Sequence, residues 1–278
     1  MSPTAKMPPA RCPRLEKNAY ADLRDLDDPE VVEASRAMEG FQLQFLAKTP
    51  TVWTMSEHFT GDVLYHFSRQ WEYPYAWANL GVRSGKVLDA GSGITFFPFM
   101  LEAAGFSVAC CDSDPALAGP YASANAALGS KVGFTARSIA DMGYESASFD
   151  AIVCISVLEH VGEGRVSIVK EMARVLKPGG RLVMTCDLSL DRVCDTKLED
   201  LALVLAEVEK YFGMVYPLDL YRGKDLLTTD RFLHDAPWRL PWRKPAPGVK
   251  SDLKRLVRGS DRPFHSIAVL GITAEKRA

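Results

Sequence analysis

The chain has 278 residues, of which 47% are hydrophobic, and its formal net charge is −2. These values predict a soluble globular protein with one large α/β domain, and the near-neutral charge gives no support for a nucleic-acid partner. No apolar run reaches the roughly 18 residues that a membrane helix needs. The Pro-rich start MSPTAKMPPARCP lacks the apolar segment of a signal peptide. We therefore expect a cytoplasmic protein without a membrane partner, in which residues 1–27 form a disordered tail.

Six cysteines are present, and none of them belongs to a C-x-x-C pair. Four lie in apolar strand-like runs, so we expect reduced, buried thiols rather than disulfides or a zinc site. No metal is predicted.

Residues 28–81 are predicted to form a helical cap. In its first helix Asp28 is an N-cap candidate, Pro29 takes the first helical position, and apolar residues recur at helical spacing. The second helix is expected to end or kink near Tyr73, because Pro74 lacks the backbone N–H that a helix interior uses.

From residue 82 onward, short apolar runs alternate with helical segments. Strands are predicted at Lys86–Ala90, Ser107–Cys111, Val132–Thr135, Asp150–Ile155 and Arg181–Cys186. This alternation predicts a doubly wound, mostly parallel sheet with helices on both faces. We assign residues 82–212 to this core, and residues 213–278 to a lid followed by a final strand.

The segment VLDAGSG ends the first predicted strand at Asp89 and enters a turn with Gly91 and Gly93. Ligands of doubly wound sheets bind at the carboxyl ends of strands, and glycines let the backbone approach them closely. A dinucleotide turn needs a third glycine where this chain has Phe96, and no nearby Arg or Lys compensates. The turn therefore predicts a ligand without phosphates.

Carboxylates after the next strands indicate a nucleoside in that ligand. Asp112 ends the second strand, where a carboxylate can accept hydrogen bonds from both ribose hydroxyls. In SIADM, after the third strand, Asp141 is a candidate acceptor for an adenine amino group, with Met142 packing on the ring.

Five elements in order resemble the class I S-adenosylmethionine-dependent methyltransferases, of the broad small-molecule type 11 kind: VLDAGSG, CCDSD, SIADM, FDAIVCISVLEHV and ARVLKPGGRLVM. The resemblance covers residues 86–187. It implies a seven-stranded Rossmann-like methyltransferase fold with an N-terminal helical cap and a C-terminal lid insertion on the acceptor side. It also implies S-adenosylmethionine as cofactor and methyl transfer to a small-molecule acceptor. We expect a monomer or a homodimer.

The resemblance implies nine cofactor-binding residues: Asp89, Gly91, Ser92, Gly93, Asp112, Ser113, Asp141, Met142 and Ile155. The first four surround the methionine part, the next two are at the ribose, the following two hold adenine, and the last flanks the site. Thr95 stands where the family often has a third glycine, which predicts a tighter turn or a slightly displaced cofactor.

His160, just past the fourth strand, is the candidate base that would take a proton from an acceptor hydroxyl. The alternative is a loop histidine bonded to the backbone. In the aromatic segment SRQWEYPYAWANL, Trp71 and Tyr75 are candidates to shield the sulfonium or stack on an aromatic acceptor. The alternative for both is packing of the helix on the sheet.

Residues 222–262 are basic, and Arg239 and Arg243 are candidates to bind an anionic acceptor. The alternative is a solvated, irregular lid. Neither possibility identifies the acceptor or the atom that is methylated.

Two further functions are compatible with the sequence. The first is a non-methylating protein on the same fold, either a regulatory binder or an enzyme that uses the cofactor for another reaction. The second, methylation of nucleic acid, is disfavoured because CISVLEH lacks the Asn/Asp-Pro-Pro-aromatic signature of enzymes that hold a flipped base.

Overall fold

The computed structural model describes residues 7–9, 11–49, 64, 68–162, 164–190, 198–229 and 267–278. In these ranges the helices are α1 (Pro29–Lys48), α2 (Arg69–Asn79), α3 (Phe97–Ala103), α4 (Ala118–Leu128), α5 (Arg165–Val175) and α6 (Leu198–Tyr211). The strands are β1 (Asn18–Ala19), β2 (Lys86–Ala90), β3 (Ser107–Asp112), β4 (Gly133–Ala136), β5 (Phe149–Ile155), β6 (Leu176–Ser189), β7 (Phe212–Met214), β8 (Leu218–Asp219) and β9 (Ile267–Lys276).

Seven of these strands form one sheet in the order β4-β3-β2-β5-β6-β9-β7. The first five are parallel, whereas β9 runs antiparallel to both of its neighbours. This arrangement confirms the predicted doubly wound, mostly parallel, seven-stranded sheet. Because strand order reverses between β2 and β5, a crevice for ligands is expected at the carboxyl ends of these two strands.

The core strands lie close to where their apolar runs predict them, and α6 and β9 are also present as predicted. One strand differs in length. The sequence Pro178–Gly179–Gly180 predicts a turn before the fifth core strand, but β6 already begins at Leu176 and includes these residues. Leu176 pairs with Phe149 of β5, so the turn sequence lies within the sheet as an irregularity in register.

Helices cover both faces of the sheet. Alternate strand residues point to opposite faces, so Val87 and Val153 pack with α1 to α4, whereas Leu88 and Ile152 pack with α5 and α6. The buried faces of the helices are therefore set by two separate hydrophobic clusters, one on each side of the sheet.

The cap helices agree only in part with prediction. The Asp28 side chain accepts hydrogen bonds from the N–H groups of Glu30 and Val31, which confirms the predicted start of α1. The predicted end of the helix near Tyr73 is wrong, since α2 runs through Pro74 to Asn79. Pro74 lies in the second turn of the helix, where it costs a single backbone bond, and buried aromatic side chains on both sides hold the helix in place.

The prediction of a disordered tail is wrong for residues 11–27. Asn18 is fully buried: its amide donates to the carbonyls of Tyr216 and Thr273, and its Oδ1 accepts from the N–H of Thr273 at 2.6 Å. The fully buried carboxylate of Asp25 accepts from Lys17 Nζ at 2.5 Å and from a tryptophan of α2. This segment is held by long-range polar contacts, which a Pro-rich composition does not reveal.

In the described ranges, no helix combines the length and the apolar character that crossing a membrane requires. Cys12, Cys110, Cys111, Cys154 and Cys186 are free and buried, which agrees with the predicted reduced thiols.

Candidate functional site

The glycine turn between β2 and α3 lies at the point where strand order reverses. Gly91 and Gly93 have φ angles of 76° and 51°, in the left-handed region that glycine adopts without strain. A Cβ on Gly91 would lie 2.5 Å from Cγ1 of Val157, so the turn passes too close to the chain after β5 for any side chain. A Cβ on Gly93 would meet no described atom within 4 Å, which leaves space beside the turn for a ligand.

Asp112, the last residue of β3, holds this turn in place. Its Oδ2 accepts a hydrogen bond from the Gly93 N–H at 2.9 Å, and its Oδ1 accepts one from the Asp114 N–H at 3.1 Å. Each carboxylate oxygen has a further lone pair, so both can still accept hydrogen bonds from a ribose. The side chain thus joins the turn to the place expected for the sugar.

The side chains within and after the turn are mostly engaged in the fold. Ser92 is buried, and its hydroxyl accepts a hydrogen bond from Tyr121 at 3.0 Å. Thr95 accepts from the Phe97 N–H at 3.3 Å. Phe96 is buried and packs edge-on against Tyr73, with ring centroids 5.2 Å apart. Thr95 thus contacts the start of α3 and Phe96 packs against α2, and neither lies within 4 Å of a Cβ on Gly93.

The residues predicted at the far end of the cofactor differ in exposure. Asp141 and Ser113 are exposed and Ile155 is half-buried, so each has surface that a ligand can contact. Met142 has no exposed surface, and its backbone N–H donates to Glu171 at 2.9 Å. The prediction that its side chain packs on adenine is therefore wrong, because that side chain belongs to the hydrophobic cluster beneath α5.

Asp89, at the end of β2, is 5% exposed. Burial, and then the charge of Asp112, raise the pKa of its carboxyl to about 7, although the charge of Arg69 acts in the opposite direction. A carboxyl in such a place favours a nearby positive charge on the ligand, which would stabilise its ionised form.

Helix α2 contributes an ion pair to the crevice. The Arg69 guanidinium bonds to Oε2 of Glu72 at 2.5 Å, while Oε1 of Glu72 accepts from the hydroxyls of Ser156 and Thr185. Burial opposes ionisation of Glu72, but Arg69 and these hydroxyls lower the pKa of its carboxyl. Ser156, which follows β5, has a φ of 48°, an uncommon conformation for a residue other than glycine. Glu72 therefore ties α2 to the carboxyl ends of β5 and β6.

Two further carboxyls near this ion pair were not predicted as site residues. Glu159 is 7% exposed, and burial raises its pKa to about 7, with Glu72 adding to the rise. Asp187, near the end of β6, has its pKa raised by burial and then by Glu72 and Glu159. Both stand at or just after the carboxyl end of a strand, the same signal that identified Asp89 and Asp112.

Trp71 and Tyr75 were predicted either to face the cofactor or the acceptor or to pack the helix on the sheet, and their burial agrees with the packing alternative. Both are fully buried, with ring centroids 4.5 Å apart. The Trp71 indole donates to Asp25 at 2.8 Å, and the Tyr75 hydroxyl donates to the Lys17 carbonyl at 2.9 Å. The two rings lie over Gly271, where a Cβ would be 2.5 Å from Tyr75. They fix the N-terminal segment to α2 and β9.

His160 ends the short 3-10 turn Leu158–His160 and is exposed. It lines a cavity of about 540 Å³ together with Glu159, Arg165, Asp200 and others, a size that suits a small molecule. Arg239 and Arg243 lie outside the described residues.

The site combines a glycine turn with space beside it, a carboxylate at the end of β3 and a crevice that contains several carboxyls. This combination fits a nucleoside ligand that carries a positive charge and no phosphate. These features make the crevice a candidate nucleoside-binding site on a Rossmann-like fold. Residues 88–184 match the family model described as Methyltransferase domain. Over these residues the chain is therefore similar to methyltransferase domains, which agrees with the resemblance to class I S-adenosylmethionine-dependent methyltransferases.

The first relatives found by sequence are named as methyltransferases. A Ubiquinone biosynthesis O-methyltransferase of Xanthomonas oryzae pv. oryzae (strain PXO99A) is 30% identical over 154 residues, 55% of this chain and 61% of that protein. The chain thus spans about three fifths of the length of the first curated relatives it matches.

Among solved structures, two share the fold. Geranyl diphosphate C-methyltransferase from Streptomyces coelicolor A3(2), in complex with Mg²⁺, geranyl-S-thiolodiphosphate and S-adenosyl-L-homocysteine, has a TM-score of 0.53 at 16% identity. The match covers 73% of this chain and 74% of that one. The [4+2]-cyclase SpnF has a TM-score of 0.53 at 15% identity, covering 89% of this chain and 97% of that one.

Proposed function

We propose that this protein is an S-adenosylmethionine-dependent methyltransferase that acts on a small-molecule acceptor. The observation that supports it best is the glycine turn, held by Asp112, in a methyltransferase domain with open space beside Gly93. When bound, S-adenosylmethionine supplies an activated methyl group on a positively charged sulfur.

The chain's own residues would bind and orient the reactants. Asp112 would accept hydrogen bonds from the ribose hydroxyls, and exposed Asp141 would accept one from the adenine amino group. Asp89 lies where its charge stabilises a cationic ligand, and Ser113 and Ile155 would complete the walls of the site. Holding both reactants in a fixed orientation accounts for much of the rate acceleration that such an enzyme needs.

An acceptor hydroxyl would also need a base. His160 remains our candidate, since its exposed side chain lines a cavity of small-molecule size. An imidazole can accept a proton near neutral pH, which suits this role.

A second candidate function is a non-methylating reaction on the same fold. One structural relative is a [4+2]-cyclase, which supports this candidate. Nucleic-acid methylation is less favoured, because phosphate backbones are repelled by a crevice with several buried carboxyls.

A turnover assay distinguishes methyl transfer from the non-methylating alternative. The purified protein would be incubated with S-adenosylmethionine and a panel of small phenols, amines and carboxylic acids, and S-adenosylhomocysteine formation would be measured. We expect acceptor-dependent product with at least one class, and its loss in Asp112→Ala. Cofactor binding without product from any acceptor would contradict the methyltransferase proposal and favour the second candidate.

A further inference from the structure

Four carboxyls interact electrostatically with the guanidinium of Arg69, and one of them, Glu72, forms an ion pair with it. Arg69 is a common electrostatic partner of Glu72, Asp89, Glu159 and Asp187, and it offsets the rise in pKa of the last three. One guanidinium cannot neutralise four carboxylates, so this part of the crevice has an excess of negative charge whenever they ionise.

Glu159 lacks the partners that Glu72 has. Neither of its carboxylate oxygens makes a hydrogen bond within the described part of the chain, and the same holds for Oδ1 of Asp187. The backbone amides of Glu159 and Asp187 lie near the Glu159 carboxyl and offset part of its raised pKa, although neither makes a hydrogen bond of normal geometry. A side chain that is 93% buried without a partner is rare and indicates a missing donor.

The residues that carry these carboxyls border accessible space. Asp187 is half-buried rather than sealed, and the Arg69 side chain keeps 18% of its surface exposed. Glu159 also lines the cavity of about 540 Å³ that contains His160. The unpaired oxygens themselves are buried, so a small ligand in this cavity reaches them once the Glu159 side chain rotates towards it.

The chemistry of these oxygens restricts the ligand. In the ionised form these oxygens can only accept hydrogen bonds, so the partner of the ionised carboxyls must donate them, and a positive charge would replace the missing counter-ion. A carboxylate or phosphate ligand would add to the repulsion. A protonated amine satisfies both requirements, because it carries a positive charge and up to three N–H donors.

We propose that Glu159 and Asp187 form an acceptor subsite that binds the protonated amino group of a small organic amine. This inference rests on the proposed function, since it names the acceptor class of the same crevice. Glu159 is placed to take one proton from the bound ammonium at a carboxylate oxygen, which leaves the nitrogen lone pair free.

The test uses three probes that share one ring and differ in charge: tyramine, tyrosol and 4-hydroxyphenylacetate. Their binding to the full chain would be measured by calorimetry with and without S-adenosylhomocysteine. We expect tyramine to bind at least about tenfold more tightly than tyrosol, as a charge-assisted hydrogen bond in a buried site predicts, and the acid to bind most weakly.

The variants Glu159→Gln and Asp187→Asn keep the side-chain shape and remove the charge. Each should reduce the preference for tyramine over tyrosol, whereas Glu145→Gln, at an exposed position on the loop before β5, should leave it unchanged. Equal binding of the three probes, tighter binding of the acid, or no binding of tyramine would overturn the subsite. Failure to bind S-adenosylhomocysteine would count against the proposed function and not against the amine subsite. The two failures can be distinguished because amine binding is also measured without S-adenosylhomocysteine.

Discussion

The carboxyl of Glu159 should make the stability of the protein depend on pH. Its pKa is raised from 4.5 to about 7 by burial and then by the charge of Glu72. A raised pKa means that the folded state prefers the protonated carboxyl, so the associated stability is fully present below about pH 4.5 and is lost as pH rises through about 7. The shift corresponds to about 3 kcal/mol, of which about 2.5 kcal/mol falls between about pH 5 and pH 8.

Glu159→Gln removes this ionisation and keeps the shape of the side chain. We expect the free energy of unfolding of the variant, relative to wild type, to increase by about 2 to 3 kcal/mol from pH 5 to pH 8. The neighbouring Asp187 adds to this effect in the same direction, since its own raised pKa depends partly on Glu159.

The measurement is urea unfolding at several pH values, followed by tryptophan fluorescence and circular dichroism. Glu145→Gln is the matched control, because the same substitution at this exposed position removes no buried charge. A difference between Glu159→Gln and wild type that stays constant from pH 5 to pH 8 would refute the reasoning, as would a variant that loses stability relative to wild type as pH rises.

Three other changes have defined outcomes. Gly91→Ala should cost about 1 to 3 kcal/mol of unfolding free energy in urea, because its Cβ would meet Val157 at 2.5 Å and its φ is 76°. Trp71→Phe should lower the free energy of unfolding by about 1 to 3 kcal/mol, because the buried Asp25 loses a hydrogen-bond donor. The affinity of this variant for S-adenosylmethionine, measured by calorimetry, should stay within about twofold of wild type. S-adenosylmethionine should release protons on binding near pH 7, since a cation beside Asp89 lowers the pKa of about 7 that burial and Asp112 produce.

Each of these has a control and a contrary outcome. Gly93→Ala, where the Cβ has free space, should be less destabilising than the Gly91 variant, and the opposite order would contradict the close approach. A tenfold loss of cofactor affinity in the Trp71 variant would show that Trp71 takes part in cofactor binding. Proton release is read from calorimetry in buffers of different ionisation enthalpy, and unchanged release in Asp89→Asn would exclude that carboxyl as its source.

Much of the fold was predictable because its signals are local. The apolar runs of the core strands, the Asp28 cap and the glycine turn each depend on a few adjacent residues. The packing of residues 11–27 could not be predicted from local sequence, because Asn18 pairs with Leu218, which is about 200 residues further along the chain.

The site was predictable to a similar extent. Asp89 and Asp112 follow from the rule that ligands bind at strand ends, and the same rule applied to Asp187 and to the turn after β5 would have found the unpaired carboxyls. The burial of the Trp71 and Tyr75 rings could not be predicted, because it depends on their close contact with Gly271 of β9. The sequence of α2 alone gives no sign of that contact.

The central claim is that the turn held by Asp112 receives S-adenosylmethionine, and calorimetric titration tests it most directly. We predict stoichiometric binding by the wild-type protein and by Glu145→Gln, and affinity at least about tenfold weaker in Asp112→Ala. Absence of binding by the wild-type protein, or equal affinity in Asp112→Ala, would contradict this account.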